Sequence, residues 1–228
     1  MSRPYIVVHM MTTLDGRIDC PVVAQISGHE YYEALDKIGK TSKVSGKVTA
    51  VLENTALRAE ITEHTGIPVG EESVNIAQEA DEYSIVADTL GSLRWKKNEE
   101  DGHPLLCIVS QQATLDYLEE LREQGISWIA TGKNRIDLAR AAELLKEHFG
   151  IGKLSIVGGG HICGGFLAAG IVDEVSVMIA PGIDGRKGQT AVFDGIVKPD
   201  DTPYRLKLKS VEQWPGTEVI WLRYSVEK

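Results

Sequence analysis

Leu154-Ser155-Ile156-Val157-Gly158-Gly159-Gly160-His161 joins a short apolar run to three glycines. The compact segment that follows carries Phe166, Leu167, Ala168 and Ala169, and stops at Gly170. The pattern predicts a strand, a tight turn and a helix. Glycine lets backbone N–H groups come close to a ligand, and a helix N-terminus favours an anion such as a nucleotide phosphate. A tight turn without a ligand uses the same residues. The usual dinucleotide fingerprint is not met, because G-x-G-x-x-G from Gly158 would need glycine where Cys163 stands. That fingerprint also sits after the first strand, whereas these glycines come late.

The rest of the chain supplies strands and helices in alternation. Tyr5 to Met11, Lys43 to Gly46, Tyr83 to Ala87, Leu105 to Val109, Ile126 to Ala130 and Val175 to Ala180 read as strands. His29 to Ile38, Val48 to Leu52, Leu115 to Gln124 and Leu138 to Phe149 read as helices. The last is capped by Asp137 and closed by Gly150. On the His29–Ile38 helix, Tyr31, Tyr32, Leu35 and Ile38 form the expected apolar stripe. The acidic stretch from Glu60 to Glu82 is expected as surface helix or loop, and Lys96 to Gly102 as a solvated loop. The alternating runs around Leu206 and Ile220, joined across Trp214-Pro215-Gly216, predict a terminal antiparallel pair. The sum is one α/β domain over residues 1–228, with a mainly parallel sheet, helices on both faces and an antiparallel C-terminal edge. Asp15-Gly16, Gly46, Asp88-Thr89, Thr131-Gly132 and the glycine triplet all follow predicted strands, where such sheets bind ligands.

Composition narrows the class. The 228 residues are 43% hydrophobic and 25% charged, within the normal range for a globular protein. A net charge of −9 gives no basic field for nucleic acid. Cys20, Cys107 and Cys163 are odd in number and widely spaced, which points away from a disulfide framework and a cysteine zinc site and toward a reducing, cytoplasmic setting. No apolar run nears the ~18 residues of a membrane span, and the N-terminus lacks a signal-peptide core. His29-Glu30-Tyr31-Tyr32-Glu33 lacks the second histidine of a zinc-protease helix, so no metal is expected. Cys163 reads as packing rather than a nucleophile, and His161 as either a phosphate contact or a solvent-facing residue. Asp15 reads most simply as the start of an Asp-Gly turn. Gly46-Lys47-Val48-Thr49 offers N–H groups, a hydroxyl and an ammonium to a phosphate, or is an ordinary helix start.

Four segments together resemble one family, the RibD C-terminal reductase domain of riboflavin biosynthesis, which has a dihydrofolate-reductase-like α/β/α fold. They are His9 to Ile18; Gly46-Lys47-Val48-Thr49 with Glu53, Asn54 and Leu57; Ile85 to Thr89; and Val157 through Gly170 and Asp173-Glu174 to Pro181 and Gly185. The resemblance implies an NADPH-dependent reductase, commonly a homodimer. It would transfer a hydride to the ribosyl C1′ of 5-amino-6-(5-phosphoribosylamino)uracil. It implies a cofactor site of Met11, Gln25, Gly46, Lys47, Thr49, Glu53, Thr89 and the loop Gly158, Gly159, Gly160, His161, Ile162, Cys163 and Gly164. Lys47 would face the adenosine 2′-phosphate. Substrate contacts would fall on Asp15, Ser27, Lys37, Leu57 and Val157.

The chain departs from the family at three of its positions. Val157 replaces the acid before the glycines, Lys37 replaces an arginine, and Glu60 aligns with another arginine although Arg58 is near. Arginine and lysine hold phosphate differently. Two alternatives therefore stand beside the pyrimidine reductase: a same-fold reductase of another small imine, carbonyl or pterin, and a nucleotide-binding protein without turnover. No residue is named as the proton donor.

Overall fold

The computed structural model describes residues 2–52, 56–58, 66–197, 200 and 202–227. They form two compact units, one of residues 5–40 and 155–228, the other of residues 41–154 with the N-terminal few.

In the first unit the strands are β1 (Tyr5–Thr12), β10 (Lys153–Gly158), β11 (Glu174–Ile179), β12 (Leu206–Gln213) and β13 (Ile220–Val226). Their order is β12-β13-β11-β1-β10. β1 runs parallel to β11, with His9 opposite Ser176. The expected antiparallel edge is present: β13 pairs with β11, and β12 with β13. β1 is buried from Ile6 onward, as a central strand covered on both faces must be. The helices are α1 (Cys20–Val23), α2 (Glu30–Ile38) and α6 (Gly160–Ala168). Ala34, Leu35 and Ile38 of α2 share a core cluster with Val7, Met11, Met178 and Trp221. Tyr32 does not belong to the buried stripe and is 63% exposed. At 100° per residue it falls beside the inward line set by Ala34, Leu35 and Ile38.

One polar group lies inside that core. His9 is fully buried, stacked on Tyr31 with ring centroids 4.7 Å apart. The Trp221 indole donates to Ser176 Oγ at 2.8 Å, and His9 bonds Ser176 Oγ through Nδ1 at 2.9 Å and the Tyr31 carbonyl through Nε2 at 3.0 Å. The Tyr31 carbonyl can only accept, so Nε2 carries the proton and Nδ1 accepts from the Ser176 hydroxyl. Burial pulls the His9 pKa down to about 4, so the ring is neutral near pH 7.

In the second unit the main strands are β2 (Ser42–Gly46), β4 (Ser73–Asn75), β5 (Ser84–Ala87), β8 (His103–Val109) and β9 (Ser127–Ala130), in the order β2-β5-β8-β9-β4. β2, β5, β8 and β9 are parallel, and β4 is antiparallel to β9. Helix α3 spans Lys47–Leu52, α4 Leu115–Glu123 and α5 Leu138–Phe149. Tyr117, Leu118 and Leu121 of α4 pack with Val86, Cys107, Val109 and Trp128. Asp137 caps α5 by accepting from the Arg140 N–H at 3.0 Å, and Gly150 closes it in the left-handed conformation.

Short strands depart from the sequence reading. β4 lies in the stretch expected as helix or loop. β7 (Glu99–Glu100) pairs with β8 inside the expected solvated loop, and β3 (Ala56–Arg58) with β6 (Leu93–Trp95) forms a separate two-stranded sheet. Runs of two or three residues are too short to show a period, and their pairing comes from tertiary contacts.

Candidate functional site

The glycine triplet sits where strand β10 gives way to helix α6. Gly158 has φ of 145°, a value side chains disfavour, and its peptide bond to Gly159 is cis. Gly159 is the extended N-cap of α6, and no side chain caps that helix. The first N–H groups of a helix have no acceptor within it, so this turn offers donors to an anion. Gly160 and Gly164 answer to a different need. A Cβ on Gly160 would stand 2.2 Å from the Ala191 carbonyl oxygen, and one on Gly164 2.2 Å from that of Asp194. These two glycines, one helical turn apart, seat α6 against the backbone of residues 190–196, and the Asp194 N–H donates to Gly160 O at 3.1 Å. Cys163 is buried beside them, and burial pushes its thiol up to about 12, as expected of a packing residue. His161 is exposed and lies against Gly195, while Ile162 is half-buried.

Asp15 follows β1 and is a loop clamp. It accepts from the Thr13 hydroxyl at 2.6 Å and from the backbone N–H groups of Asp184 and Gly185, each at 3.0 Å. Those bonds to the charged form, the Thr13 hydroxyl foremost, hold its pKa at about 2. Arg186 reinforces the same loop through Asp184 and through Asp19 at 2.6 Å. Met11 is buried in β1 opposite Met178. Gln25 is exposed and donates to the Pro21 carbonyl at 2.7 Å, and Ser27 donates to the Val23 carbonyl at 2.8 Å. Val157 is half-buried and packs, with Ile26 and Tyr31, on the cluster that contains Met11 and Val23. Lys37 is in the last turn of α2, where its ammonium sits 3.9 Å from the centroid of the Trp214 ring. Trp214 in turn donates to Glu33 at 3.2 Å. Lys37 is thus engaged with the β12–β13 turn. A surface depression of about 360 Å³ at that turn is lined by Gln213 to Glu218, none of them a predicted site residue.

The second unit gathers a separate set. Gly46 ends β2 opposite Ala87, the last residue of β5. Lys47 opens α3 and donates to Ser92 Oγ at 3.5 Å. Asp88 is wholly buried and accepts from the Ser92 N–H at 2.5 Å, the Ser92 hydroxyl at 2.8 Å and the Leu93 N–H at 2.8 Å. The Thr89 carbonyl accepts from Ser110 through both N–H and hydroxyl. The strand ends therefore bring Lys47 to the turn that contains Thr89. Ser92, absent from the sequence-based set, is the residue that joins them. Its signal was an aspartate four positions earlier with Gly91 between, an Asp-led turn. Thr49 is half-buried in α3, and Leu57 is 54% exposed in β3 opposite Arg94. Glu53 lies outside the described residues. Among the described residues no helix is long and apolar enough to cross a membrane.

Comparison with known proteins gives one consistent answer. The RibD C-terminal domain matches residues 4–219. A 2,5-diamino-6-ribosylamino-4(3H)-pyrimidinone 5′-phosphate reductase from Methanothermobacter thermautotrophicus is 27% identical over 198 residues, covering 85% of each chain. A pyrimidine reductase-like protein from Corynebacterium diphtheriae shares the fold, with a TM-score of 0.72 at 20% identity over 99% of this chain and 92% of that one. Acinetobacter baumannii RibD superposes with a TM-score of 0.70 at 18% identity, over all of this chain and 59% of the longer one. The mainly parallel sheet with its antiparallel edge is the dihydrofolate-reductase-like fold of these neighbours, and the match over residues 4–219 shows that the chain belongs to the RibD C-terminal domain family.

Proposed function

We propose that the chain is an NADPH-dependent reductase of a phosphoribosylated aminopyrimidine, acting as one reductase domain in a cytoplasmic homodimer. The observation that carries this reading is the β10–α6 junction, a glycine turn into an uncapped helix, in a member of this family. The donors present suit a nicotinamide dinucleotide's phosphates in each unit taken by itself: the first N–H groups of α6 in the one, and the Lys47 ammonium in the other. When bound, NADPH supplies a hydride that, with one proton, reduces the ring-opened ribosyl C1′ and leaves a ribitylamino pyrimidine and NADP⁺. The protein's part is positional. Gly158 and Gly159 let backbone approach the cofactor, Asp15 fixes the loop after β11, and Met11 and Val157 offer an apolar surface. The remaining cofactor contacts are assigned to Gln25, Thr49, Thr89, His161 and Ile162, and substrate contacts to Ser27, Lys37 and Leu57.

The substrate has two close forms. The archaeal relative's name gives a 2,5-diamino pyrimidinone, whereas the resemblance points to the corresponding uracil, with oxygen in place of the 2-amino group. Assay of both, with NADPH oxidation followed by absorbance and the product by mass, tests the proposal and ranks them. Val157 favours a second reading. An acid at this position would add a charge where the chain has an apolar side chain packed on a hydrophobic cluster, so a less polar imine or carbonyl compound belongs in the same panel.

A further inference from the structure

Strand β2 ends at Gly46 opposite Ala87, the last residue of β5. That register brings the residue after each strand to the same end of the sheet, Lys47 on one and Asp88 on the other. A direct ion pair would commit the charge of the ammonium to a carboxylate. The structure inserts a hydroxyl instead. Asp88 is wholly buried, with one oxygen accepting from the Ser92 and Leu93 N–H groups and the other from the Ser92 hydroxyl at 2.8 Å. A serine hydroxyl has a single hydrogen, and this one is given to Asp88. Its oxygen can therefore only accept from the Lys47 ammonium, 3.5 Å away. The order of donation is fixed, from Lys47 to Ser92 to Asp88.

The frame that carries Ser92 is rigid. The Thr89 carbonyl accepts from the Ser110 N–H at 2.9 Å and from its hydroxyl at 2.7 Å. Gly91, with φ of 70°, lies so close to the Tyr117 ring that a Cβ would stand 2.4 Å from it. Tyr117 is itself buried, and its hydroxyl accepts from the Trp95 indole at 3.0 Å. Ser92 is 7% exposed. Lys47 is a contrasting group, half-buried on a flexible four-carbon stem.

We propose that Ser92 and Asp88 are positioning residues for Lys47: they hold its ammonium ready for the adenosine 2′-phosphate and so set a preference for NADPH over NADH. The inference rests on the cofactor reading above and adds what makes Lys47 selective. A neutral oxygen anchors the ammonium without neutralising it. The buried carboxylate behind that oxygen polarises the hydroxyl and strengthens the anchor. With three N–H donors, the ammonium can keep or trade the long Ser92 contact as it turns to a phosphate. Ordering a free lysine on binding costs about threefold to tenfold in affinity, and an anchored lysine has already lost part of that freedom. A nucleotide without the 2′-phosphate makes no use of the anchor.

Calorimetric titration of the full chain with NADPH and with NADH tests this. The wild type is expected to bind NADPH more tightly. Ser92→Ala is expected to weaken NADPH by about threefold to tenfold and NADH by less than about twofold. In a Lys47→Ala background the same substitution is expected to leave both affinities unchanged, because Ser92 then has no ammonium to hold. General damage to the turn would instead weaken both nucleotides in both backgrounds, and that result would overturn the positioning role. Should Ser92→Ala fail to fold, Ser92→Cys keeps the shape but offers only a weak sulfur acceptor, and is expected to show the same selective loss. A wild type with no preference between the two nucleotides would overturn the reading of Lys47 and this inference together. A wild-type preference that Ser92→Ala or Ser92→Cys leaves intact would overturn the positioning role and leave the cofactor reading standing.

Discussion

Lys47 is the residue on which the proposed cofactor choice turns. Its ammonium reaches Ser92 Oγ at the long distance of 3.5 Å, a contact it can exchange for a phosphate oxygen. Lys47→Ala is expected to weaken NADPH by roughly tenfold or more and NADH by much less, because a charge-assisted contact to the 2′-phosphate is lost. Fluorescence titration with both nucleotides checks it, and equal losses would remove Lys47 from that role. His9 makes a pH prediction. In the unfolded chain an ordinary histidine takes up its proton near pH 6.5, whereas the folded ring resists until about pH 4. The unfolded state therefore binds more protons across that window. Stability is full above pH 6.5 and falls by on the order of 3 kcal/mol as pH drops to 4. Urea midpoints of the wild type and His9→Gln across this range measure the term, and parallel curves would contradict it. Asp15 and Cys163 show how neighbours decide a residue's role. Asp15 was legible as an Asp-Gly turn, but its grip on Asp184 and Gly185, far along the chain, had no local signal.

At the scale of elements, helix α6 depends on Gly160 and Gly164 for its seat on residues 190–196. Gly164→Ala forces a methyl group toward a backbone oxygen that cannot rotate away. It is expected to cost about 2–3 kcal/mol and to lower the melting temperature by roughly 5–10 °C. Scanning calorimetry reads this directly, and an unchanged melting temperature would mean the two segments are not packed as described. Release of the Asp15 clamp has a different signature. In Asp15→Asn the loop after β11 loses its charged acceptor, and trypsin cleavage after Arg186 or Lys187 is expected to quicken by several-fold relative to the wild type. Unchanged cleavage would show that the clamp does not hold the loop. The long elements were legible because each carries its own period and punctuation. β1 is a run of branched and apolar residues, and α5 has both its Asp137 cap and its Gly150 stop. The β3–β6 pair and β4 were not. Their existence depends on partners about 35 to 57 residues away, which a short window of sequence cannot contain. The glycine triplet was half-legible. Sequence marked the loop, but not that Gly160 serves packing while Gly158 and Gly159 shape the turn.

For the whole molecule, the family and the fold follow from a match over nearly the full length, and the substrate follows from neither. Lys37 illustrates the difference, since its ammonium is placed over Trp214 and phosphate binding would have to compete with that contact. Val157 poses the same question at the apolar cluster beside Met11. The decisive measurement is a single-turnover reaction of the purified chain with NADPH carrying deuterium at nicotinamide C4, using the diaminopyrimidinone and the aminouracil ribosyl phosphates in turn. The account predicts oxidation of one NADPH per substrate reduced, and a ribitylamino product with deuterium at C1′. NADPH that binds but is not oxidised by either compound would contradict it.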